Sequence, residues 1–479
     1  MEQRSLFLNL SPLDHRYYLA NRDLFDRLGS YLSEEAAVKY AVRCEAALLY
    51  AHIDSRFPAA ERERLKASVG ALEAQVSPEA VYAEEEKTQH NVRALVNVIK
   101  LHLPEELVPY VHLGATSVDM LDTANALKIQ DAVRGVIVPL LAELVTSLSV
   151  LARGEAHTPQ IGRTHGQFAV PITVGFAIAE YISRLGKSVL EIQRLSGNLK
   201  GKFAGAVGAY NATSVMTADP QGLEREVLAY LGLEPSEHST QLVEPEYLLR
   251  LLLELNVAFG IVANLADDLR NLQRSEIGEF REHFSVTQVG SSTMPQKRNP
   301  WNSEHVKSLW KAFAPRVMTF FLDQISEHQR DLTNSASGRF VADYLAGFVA
   351  AISRMKKVIS TLVIDRSRLD ENLSRGAGDL VLAECVYILL SLAGEPEGHE
   401  IVRLITLECD QQKRPLIEAL KSRPEVWAKV TAQLKDSNGW DANHFFSHPE
   451  LYHGQAPLKA VVLAEKYEAL MKPLLGVHL

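Results

Sequence analysis

The sequence predicts an all-α fold, and three observations support that prediction. Ser77-Pro78-Glu79 supplies an N-cap, a proline at the first helical position and an acid in the first turn of a helix. Apolar residues recur every three or four positions over 133–151 and again over 246–273, as on one face of a long helix. Convincing strand alternation is scarce and no βαβ rhythm appears, so helices are expected to form the core.

Individual helices carry further signals. Asp219-Pro220 begins a helix, and Gly232 stands where that helix should stop. Pro139 lies inside the 133–151 run and implies a kink. In 246–273 flanking Leu, Val and Ala residues broaden the apolar stripe, which predicts burial between several helices. The centre of an oligomeric bundle is the more natural place for such a helix.

The chain divides into three predicted segments. At 479 residues it exceeds the usual size of one compact core. Short helices precede a long-helix region, and the glycine-containing stretch 374–378 opens a C-terminal helical tail. We therefore predict domains at 1–111, 112–365 and 366–479.

Composition and charge exclude several classes of protein. The hydrophobic content of 47% and charged content of 23% are average for soluble globular proteins. The net charge of −9 and the absence of a Lys/Arg block argue against a nucleic-acid binder, so a local basic cluster must hold any anionic substrate. Neither a disulfide framework nor a zinc site fits the spacing of Cys44, Cys385 and Cys409. The apolar stretch 251–266 is interrupted by polar residues and no secretory signal pattern opens the chain, so a cytoplasmic location is expected.

The segment 290–300, GSSTMPQKRNP, carries the strongest chemical signal. Its Gly, Ser and Pro residues predict a mobile surface loop after a helix. A serine hydroxyl is inert at its ordinary pKa and must be activated by its surroundings. Lys297, six residues after Ser291, can stabilise an alkoxide there and the enolate-like oxygens of a substrate carboxylate. Closure of such a loop excludes water and delivers the base only when substrate is present.

Five other segments combine polar residues in notable patterns: SPLDHRY at 11–17, TQHNV at 88–92, HLGATSVDMLDTA at 112–124, GRTHGQ at 162–167 and RDLTNSASGR at 330–339. Each also has a plain structural explanation. Alone, His165 is more readily a structural histidine, and Thr116 is equally well a simple N-cap. Single arginines are most readily solvated surface charges. In combination they favour a site, because arginine forks bind phosphate and carboxylate in a bidentate manner.

Together these segments resemble the aspartase/fumarase superfamily and, within it, the adenylosuccinate lyase family. The 290–300 loop has all eight fixed positions of the signature G-S-S-x-M-P-x-K-x-N-P, which chance would supply roughly 10⁻⁸ times in such a chain. The matches run from residue 11 to about 340. The resemblance implies a three-domain helical fold with a central five-helix bundle, packed four chains together into the twenty-helix core of a homotetramer. Each active site would then collect motifs from three chains.

The resemblance also implies roles for individual residues. Ser291 is the implied base and Lys297 its catalytic partner. His165, paired with Glu304, and His90 are the candidates for protonating the leaving nitrogen, and the sequence does not decide between them. The residues implied to bind substrate are Arg16, Tyr17, Thr116, Ser117, Gln241, Asn299, Arg330, Ser335 and Arg339.

The implied reaction is reversible β-elimination of fumarate from adenylosuccinate and from the related carboxamide ribonucleotide of purine synthesis. It needs no cofactor or metal, and neither nucleic acid nor membrane is an expected partner. One alternative is a sister lyase acting on another succinyl conjugate, because Gln296 is typical of argininosuccinate lyases and because His15, Asn91 and Asn334 depart from the family pattern. The other alternative is a catalytically silent helical scaffold, although the catalytic set is complete.

Overall fold

The computed structural model describes residues 5–285, 287–288, 290–331 and 333–476. The chain is 70% helical, which confirms the all-α prediction. Within the described residues the strands form three two-stranded sheets. These sheets connect helices and do not form a layer of their own.

Seven helices make up the N-terminal region: α1 Arg16–Ala20, α2 Arg22–Leu32, α3 Glu34–Arg56, α4 Ala59–Gly70, α5 Leu72–Gln75, α6 Pro78–Thr88 and α7 Asn91–Lys100. The helices α3 to α7 enclose a hydrophobic cluster that runs from Val38 to Val111. The predicted start of α6 is confirmed, because Ser77 accepts a hydrogen bond from the N–H of Ala80 and Pro78 is the first helical residue.

Long helices dominate the central region: α8 Ser117–Ala132, α9 Val138–Gly154, α10 Val174–Ser196, α11 Asn211–Met216, α12 Pro220–Leu231, α13 Glu246–Leu272, α14 Trp301–Phe313, α15 Val317–Leu322 and α16 Val341–Ser360. The helices α9, α10, α13, α14 and α16 line the largest hydrophobic cluster. Both predicted ends of α12 are confirmed. Asp219 caps its start, and Gly232 ends it with a φ of 68°.

A π-helical turn, Val133–Ile137, joins α8 to α9 just before Pro139. Proline lacks an N–H and therefore leaves the carbonyl oxygen one turn earlier without its helical donor. That oxygen belongs to Gly135, and Arg27 Nη2 donates to it at 2.5 Å. The sequence predicts a kink at Pro139, and the structure has a widened helical turn with a side-chain partner just before it.

The C-terminal region contains α17 Arg366–Asp370, a π-helical stretch Glu371–Ala377, α18 Ala383–Leu392, α19 Gly398–Gln412, α20 Leu416–Lys421, α21 Pro424–Asn438, α22 Ala442–Ser447 and α23 Ala456–Met471. A separate hydrophobic cluster runs from Leu382 to Phe446. The last helix, α23, instead returns to the central bundle. There a Cβ on Gly186 would meet the Tyr467 ring at 2.3 Å, so the close approach requires glycine. The domain boundaries at 111 and 365 stay a prediction.

Short strands position the loops between helices. The hairpin of β1 Pro159–Thr164 and β2 Gln167–Thr173 lies between α9 and α10 and was not predicted. The strand β3 Lys200–Gly201 pairs in parallel with β4 Glu234–Pro235, and β5 Phe280–Arg281 pairs antiparallel with β6 Val363–Ile364. The hairpin and the segment after β5 both lead to predicted site residues.

Two helical stretches, Ser117–Gly154 and Glu246–Leu272, are long and apolar enough to cross a membrane by length and composition alone. Their most apolar windows are 67% and 56% buried inside the protein. Burial of this kind is typical of the core helices of a bundle. Helix α13 nevertheless exposes Leu253 by 38% and Val257 by 52%, so one chain leaves part of its apolar surface uncovered.

Candidate active site

The 290–300 loop directs two backbone donors at its first serine. Ser291 Oγ accepts hydrogen bonds from the N–H groups of Thr293 at 3.3 Å and Met294 at 3.0 Å. Two backbone dipoles aimed at one oxygen stabilise negative charge there, so the arrangement favours the alkoxide. Lys297 lies exposed on the same loop and adds a positive charge. The surface position predicted for the loop is confirmed.

Close backbone contacts fold this loop back on itself. The Lys297 N–H donates to Met294 O at 3.0 Å, and Asn299 Nδ2 donates to Gly290 O at 3.1 Å. A Cβ on Gly290 would lie 2.2 Å from the carbonyl oxygen of Lys297, so only glycine fits. Asn299, predicted to bind substrate, braces the loop in this structure.

Gln273 and Glu282 anchor the two ends of the segment that contains the loop. Gln273, directly after α13, donates to Arg298 O at 3.2 Å and accepts from the Glu282 N–H at 2.8 Å. The Glu282 carboxylate accepts from the N–H groups of Asn302 at 3.2 Å and Ser303 at 2.7 Å and so caps the start of α14. The loop is therefore tethered at its base while its tip stays exposed.

His165 stands at the tip of the β1–β2 hairpin. Thr164 pairs with Gln167, which leaves His165 and Gly166 as a two-residue turn. Both turn residues have positive φ, 53° and 73°, as a type I′ turn requires. The imidazole is exposed. A histidine held in this way faces solvent.

Glu304, the predicted partner of His165, lies exposed in the first turn of α14. No hydrogen bond or ion pair joins the two side chains within the residues that the structure describes. The structure of one chain therefore does not bring this predicted pair together.

A cationic cluster surrounds Tyr17 near the start of α14. The Tyr17 hydroxyl lies 2.9 Å from His305 Nε2. Burial lowers the pKa of His305, and the positive charges of Arg354 and Arg16 lower it further. Arg354 also lies over the Trp301 ring at 5.2 Å. The structure thus groups the predicted Arg16 and Tyr17 with His305 and Arg354, which no sequence motif had indicated.

His90 is the N-cap of α7. Its Nδ1 accepts from the Arg93 N–H at 3.2 Å, so the proton of the neutral ring lies on Nε2. Thr88 Oγ1 donates to His90 O at 3.2 Å and fixes the same turn. Asn91, which departs from the family pattern, accepts from the Val92 N–H at 2.8 Å. The exposed ring edge therefore presents Nε2–H as a donor.

Thr116 and Ser117 begin α8 next to a buried ion pair. The Thr116 N–H donates to Asp119 Oδ2 at 2.7 Å as part of a capping box. Asp119 Oδ1 accepts from Lys202 Nζ, and neither of these two side chains has exposed surface. Lys202 Nζ also donates to Gly205 O at 3.2 Å. The ion pair of Asp119 and Lys202 therefore fixes the N-terminus of α8, and helix N-termini are sites that bind carboxylates.

Gln241 and Arg330 meet in the structure although they are far apart in sequence. Arg330 Nη1 donates to Gln241 Oε1 at 3.3 Å. Next to them Asp122 of α8 accepts from the Val243 N–H at 3.0 Å. Burial raises the pKa of Asp122 to about 6, although the Val243 N–H and the charges of Lys202 and Arg330 favour its ionised form. This group links α8 to the segment that carries Gln241.

Ser335 and Arg339 lie exposed on the segment after Arg330. Across the described ranges, no hydrogen bond or ion pair joins either side chain to Gln241 or Arg330. The predicted residues thus fall into separate groups in one chain. Among all the residues that the structure describes, no set of three or more His, Cys, Asp or Glu side chains is placed to hold a metal ion.

His112 opens the HLGATS segment, but the sequence predicts no role for it. Its Nδ1 lies 2.6 Å from Oε1 of Glu45, a fully buried carboxylate. Burial alone would lower the pKa of His112, but the hydrogen bond and charge of Glu45 outweigh it and raise the pKa. The histidine itself was visible in the motif, whereas its distant partner was not.

Two family models match the chain. The model described as Lyase matches residues 33–314, and the model described as Adenylosuccinate lyase C-terminal matches residues 326–439. An adenylosuccinate lyase from Pyrococcus abyssi is 32% identical over 88% of this chain and 91% of its own length. Another from Pyrococcus horikoshii is 33% identical over 89% of this chain and 94% of its own length.

Solved structures agree on the fold. A 3-carboxy-cis,cis-muconate lactonizing enzyme from Pseudomonas putida superposes with a TM-score of 0.77 at 24% identity, covering 96% of this chain and 99% of its own. A fumarate lyase from Mesorhizobium sp. BNC1 superposes with a TM-score of 0.77 at 23% identity, covering 92% and 97%. The chain therefore shares its fold with these two enzymes. The sequence matches show its family: the chain belongs to the adenylosuccinate lyase family of carbon–nitrogen lyases.

Proposed function

We propose that the protein cleaves adenylosuccinate to AMP and fumarate in the cytoplasm. It would act in the same way on the succinyl-aminoimidazole-carboxamide ribonucleotide of purine nucleotide biosynthesis. Ser291 carries the proposal, because its Oγ faces two N–H donors on a loop that also bears Lys297. The relatives named above, which are adenylosuccinate lyases, support the choice of substrate.

The proposed reaction begins with removal of a proton from the carbon beside a substrate carboxylate. Ser291, as its alkoxide, takes this proton, and negative charge moves onto the carboxylate oxygens, where Lys297 stabilises it. The C–N bond then breaks, its electrons go to the leaving nitrogen, and the new double bond completes fumarate. His165 protonates the nitrogen. His90, with Nε2–H directed outwards, is the second donor for that position.

Separate groups of side chains bind the anionic ends of the substrate. Arg16 and Tyr17 bind the phosphate, since guanidinium and hydroxyl donors suit its oxygens. Thr116 and Ser117 bind a carboxylate at the start of α8. The remaining contacts in this proposal come from Gln241, Asn299, Arg330, Ser335 and Arg339.

The proposed working form is a homotetramer in which each site collects residues from three chains. Exposed Leu253 and Val257 on α13 support it, because packing of four such helices would cover them. His165 and Glu304 support it as well, since both are exposed and they do not meet within one chain.

The sharpest test of the substrate compares adenylosuccinate with its dephosphorylated nucleoside. A charge-assisted contact contributes about 1.5–3 kcal/mol, so the absence of several phosphate contacts should lower kcat/KM at least about a hundredfold. Arg16→Ala should lose activity on the nucleotide but little on the nucleoside. Arg22→Ala, an exposed arginine over the Tyr18 ring, is the matched control. Equal kcat/KM for both compounds in the parent protein contradicts the assignment and leaves the lyase chemistry standing.

Mixed oligomers test the shared site. Ser291→Ala and His165→Gln proteins should each be inactive, because each lacks one proton transfer. After subunit exchange some sites receive neither substitution, so fumarate release should partly return. Mass spectrometry of the mixed tetramers verifies the exchange. No recovery despite exchange, or a parent protein that sediments as a monomer, removes the shared-site proposal.

A further inference from the structure

Glu279 is a fully buried carboxylate that belongs to none of the sequence motifs. Arg163 donates to it from both terminal guanidinium nitrogens, Nη2 to Oε1 at 2.5 Å and Nη1 to Oε2 at 3.1 Å. Gln160 Nε2 donates to Oε2 at 2.8 Å, and Asn372 Nδ2 donates to Oε1 at 2.8 Å. These four donors occupy both oxygens of the carboxylate.

A β-bulge in β2 lies opposite Gly162, between the two residues of β1 that hold Glu279. The register of the hairpin shifts just before Arg163. At Gly162 a Cβ would lie 2.7 Å from a carbonyl oxygen of β2, so the bulge requires glycine. The extra residue belongs to β2 and not to β1, and the side chains of Gln160 and Arg163 both reach Glu279.

The hairpin below His165 depends on this contact. His165 follows Arg163 by two residues, and no side chain within the described ranges hydrogen-bonds to its imidazole. The guanidinium of Arg163 also lies over the ring of Phe168 on β2 at 5.4 Å, so it contacts both strands below the tip. The direction of His165 therefore depends on the hairpin that carries it and not on a hydrogen-bonding partner of its own.

Glu279 is itself fixed by other parts of the fold. Its N–H donates to Leu272 O at the end of α13 at 3.0 Å, and its carbonyl oxygen accepts from the Asp365 N–H at 2.8 Å. Asn372 belongs to the π-helical stretch Glu371–Ala377. One carboxylate thus joins the hairpin to the central bundle and to the start of the C-terminal region.

We propose that Glu279 is a positioning residue: through Arg163 it holds the β1–β2 hairpin so that His165 delivers its proton to the leaving nitrogen. This inference rests on the role proposed for His165. Glu279 acts from the interior and does not touch substrate. A displacement of about 1 Å of a catalytic group can cost on the order of 10²-fold in rate, so a modest shift of the hairpin is enough.

Glu279→Gln tests the proposal, because it places an amide among four donors and leaves Arg163 without its counter-charge. For adenylosuccinate we expect kcat to fall about tenfold to a hundredfold while KM changes less than about threefold. Hydrogen–deuterium exchange of the peptide 159–173 should become faster. Asn372→Ala, which removes one donor, and Arg163→Lys, which keeps the charge but loses the fork, should show the same pattern to a smaller degree.

Arg366→Gln is the matched control, because it breaks the ion pair of a largely exposed arginine with Glu155, next to the root of the same hairpin. In the Arg366→Gln protein, neither kcat nor the hydrogen–deuterium exchange of the peptide 159–173 should change. A Glu279→Gln protein with parental kcat, or with reduced kcat but parental exchange over 159–173, overturns the proposal. If that variant does not fold, Asn372→Ala and Arg163→Lys decide by the same two measurements. A parent protein without activity counts against the proposed function, whereas the exchange measurement still tests the anchor.

Discussion

The proposed reacting groups and the groups that hold them lie in different parts of the protein. The proposed reacting residues are wholly or partly exposed: Ser291 lies on a loop, His165 at a hairpin tip and His90 at a helix cap. In the interior, by contrast, the side chains of Asp119, Lys202 and Glu279 have no exposed surface. Exposed groups are free to meet substrate and other chains, whereas buried and paired charges hold the surrounding elements in place. The two regions should therefore respond differently to substitution.

The largest effect should follow from removal of the proposed base. Ser291→Ala deletes the acceptor of two backbone N–H groups but creates no buried cavity. We expect kcat to fall at least about 10³-fold, with the fold intact and little change in substrate binding. The absorbance of released fumarate measures the rate. Ser292→Ala, at the exposed next position, is the control and should keep parental activity. Near-parental turnover in Ser291→Ala would place the chemistry elsewhere.

Removal of a buried anchor should act first on stability. Lys202→Met leaves Asp119 buried and unpaired, and breaking a buried pair in this way costs about 3–5 kcal/mol. Lys200→Met is the matched control, because Glu234, the partner of Lys200, is 80% exposed and such pairs contribute about 0–1 kcal/mol. Urea unfolding at one protein concentration measures both variants. Equal losses would show that burial of the pair is not the cause.

This comparison also explains how much the sequence predicted. Local patterns predicted the helix ends, the surface loop and the family, because each prediction depends on short segments such as 290–300. The hairpin at His165 was missed because GRTHGQ shows no strand alternation and its turn lacks the usual Asn-Gly pair. Lys202 and Glu279 were missed because their partners lie 83 and 116 residues away. Such pairs exist only once the fold has formed.

The smallest expected effect is a gain in stability at Asp122. Burial raises the pKa of this carboxyl to about 6, whereas an aspartate in an unfolded chain titrates near a pKa of about 3.9. The folded chain therefore binds this proton more tightly than the unfolded chain does. By linkage, the stability contributed by the protonated form is fully present below about pH 4 and is lost as the pH rises through 6. At neutral pH the ionised carboxylate lowers the free energy of unfolding.

Asp122→Asn keeps an oxygen for the Val243 N–H and removes the charge. Its free energy of unfolding should exceed that of the parent by about 1–3 kcal/mol above pH 7, and the difference should vanish as the pH falls from about 6 to 4. Asp410→Asn is the control, because Lys413 holds the pKa of the exposed Asp410 below its usual value and no such gain is expected. A pH-independent difference contradicts the linkage. Asp122 faces Arg330 and fixes the segment that carries Gln241. The more stable variant should therefore also have a higher KM for the substrate. This is the result expected when a charge is kept for binding although it lowers the stability of the fold.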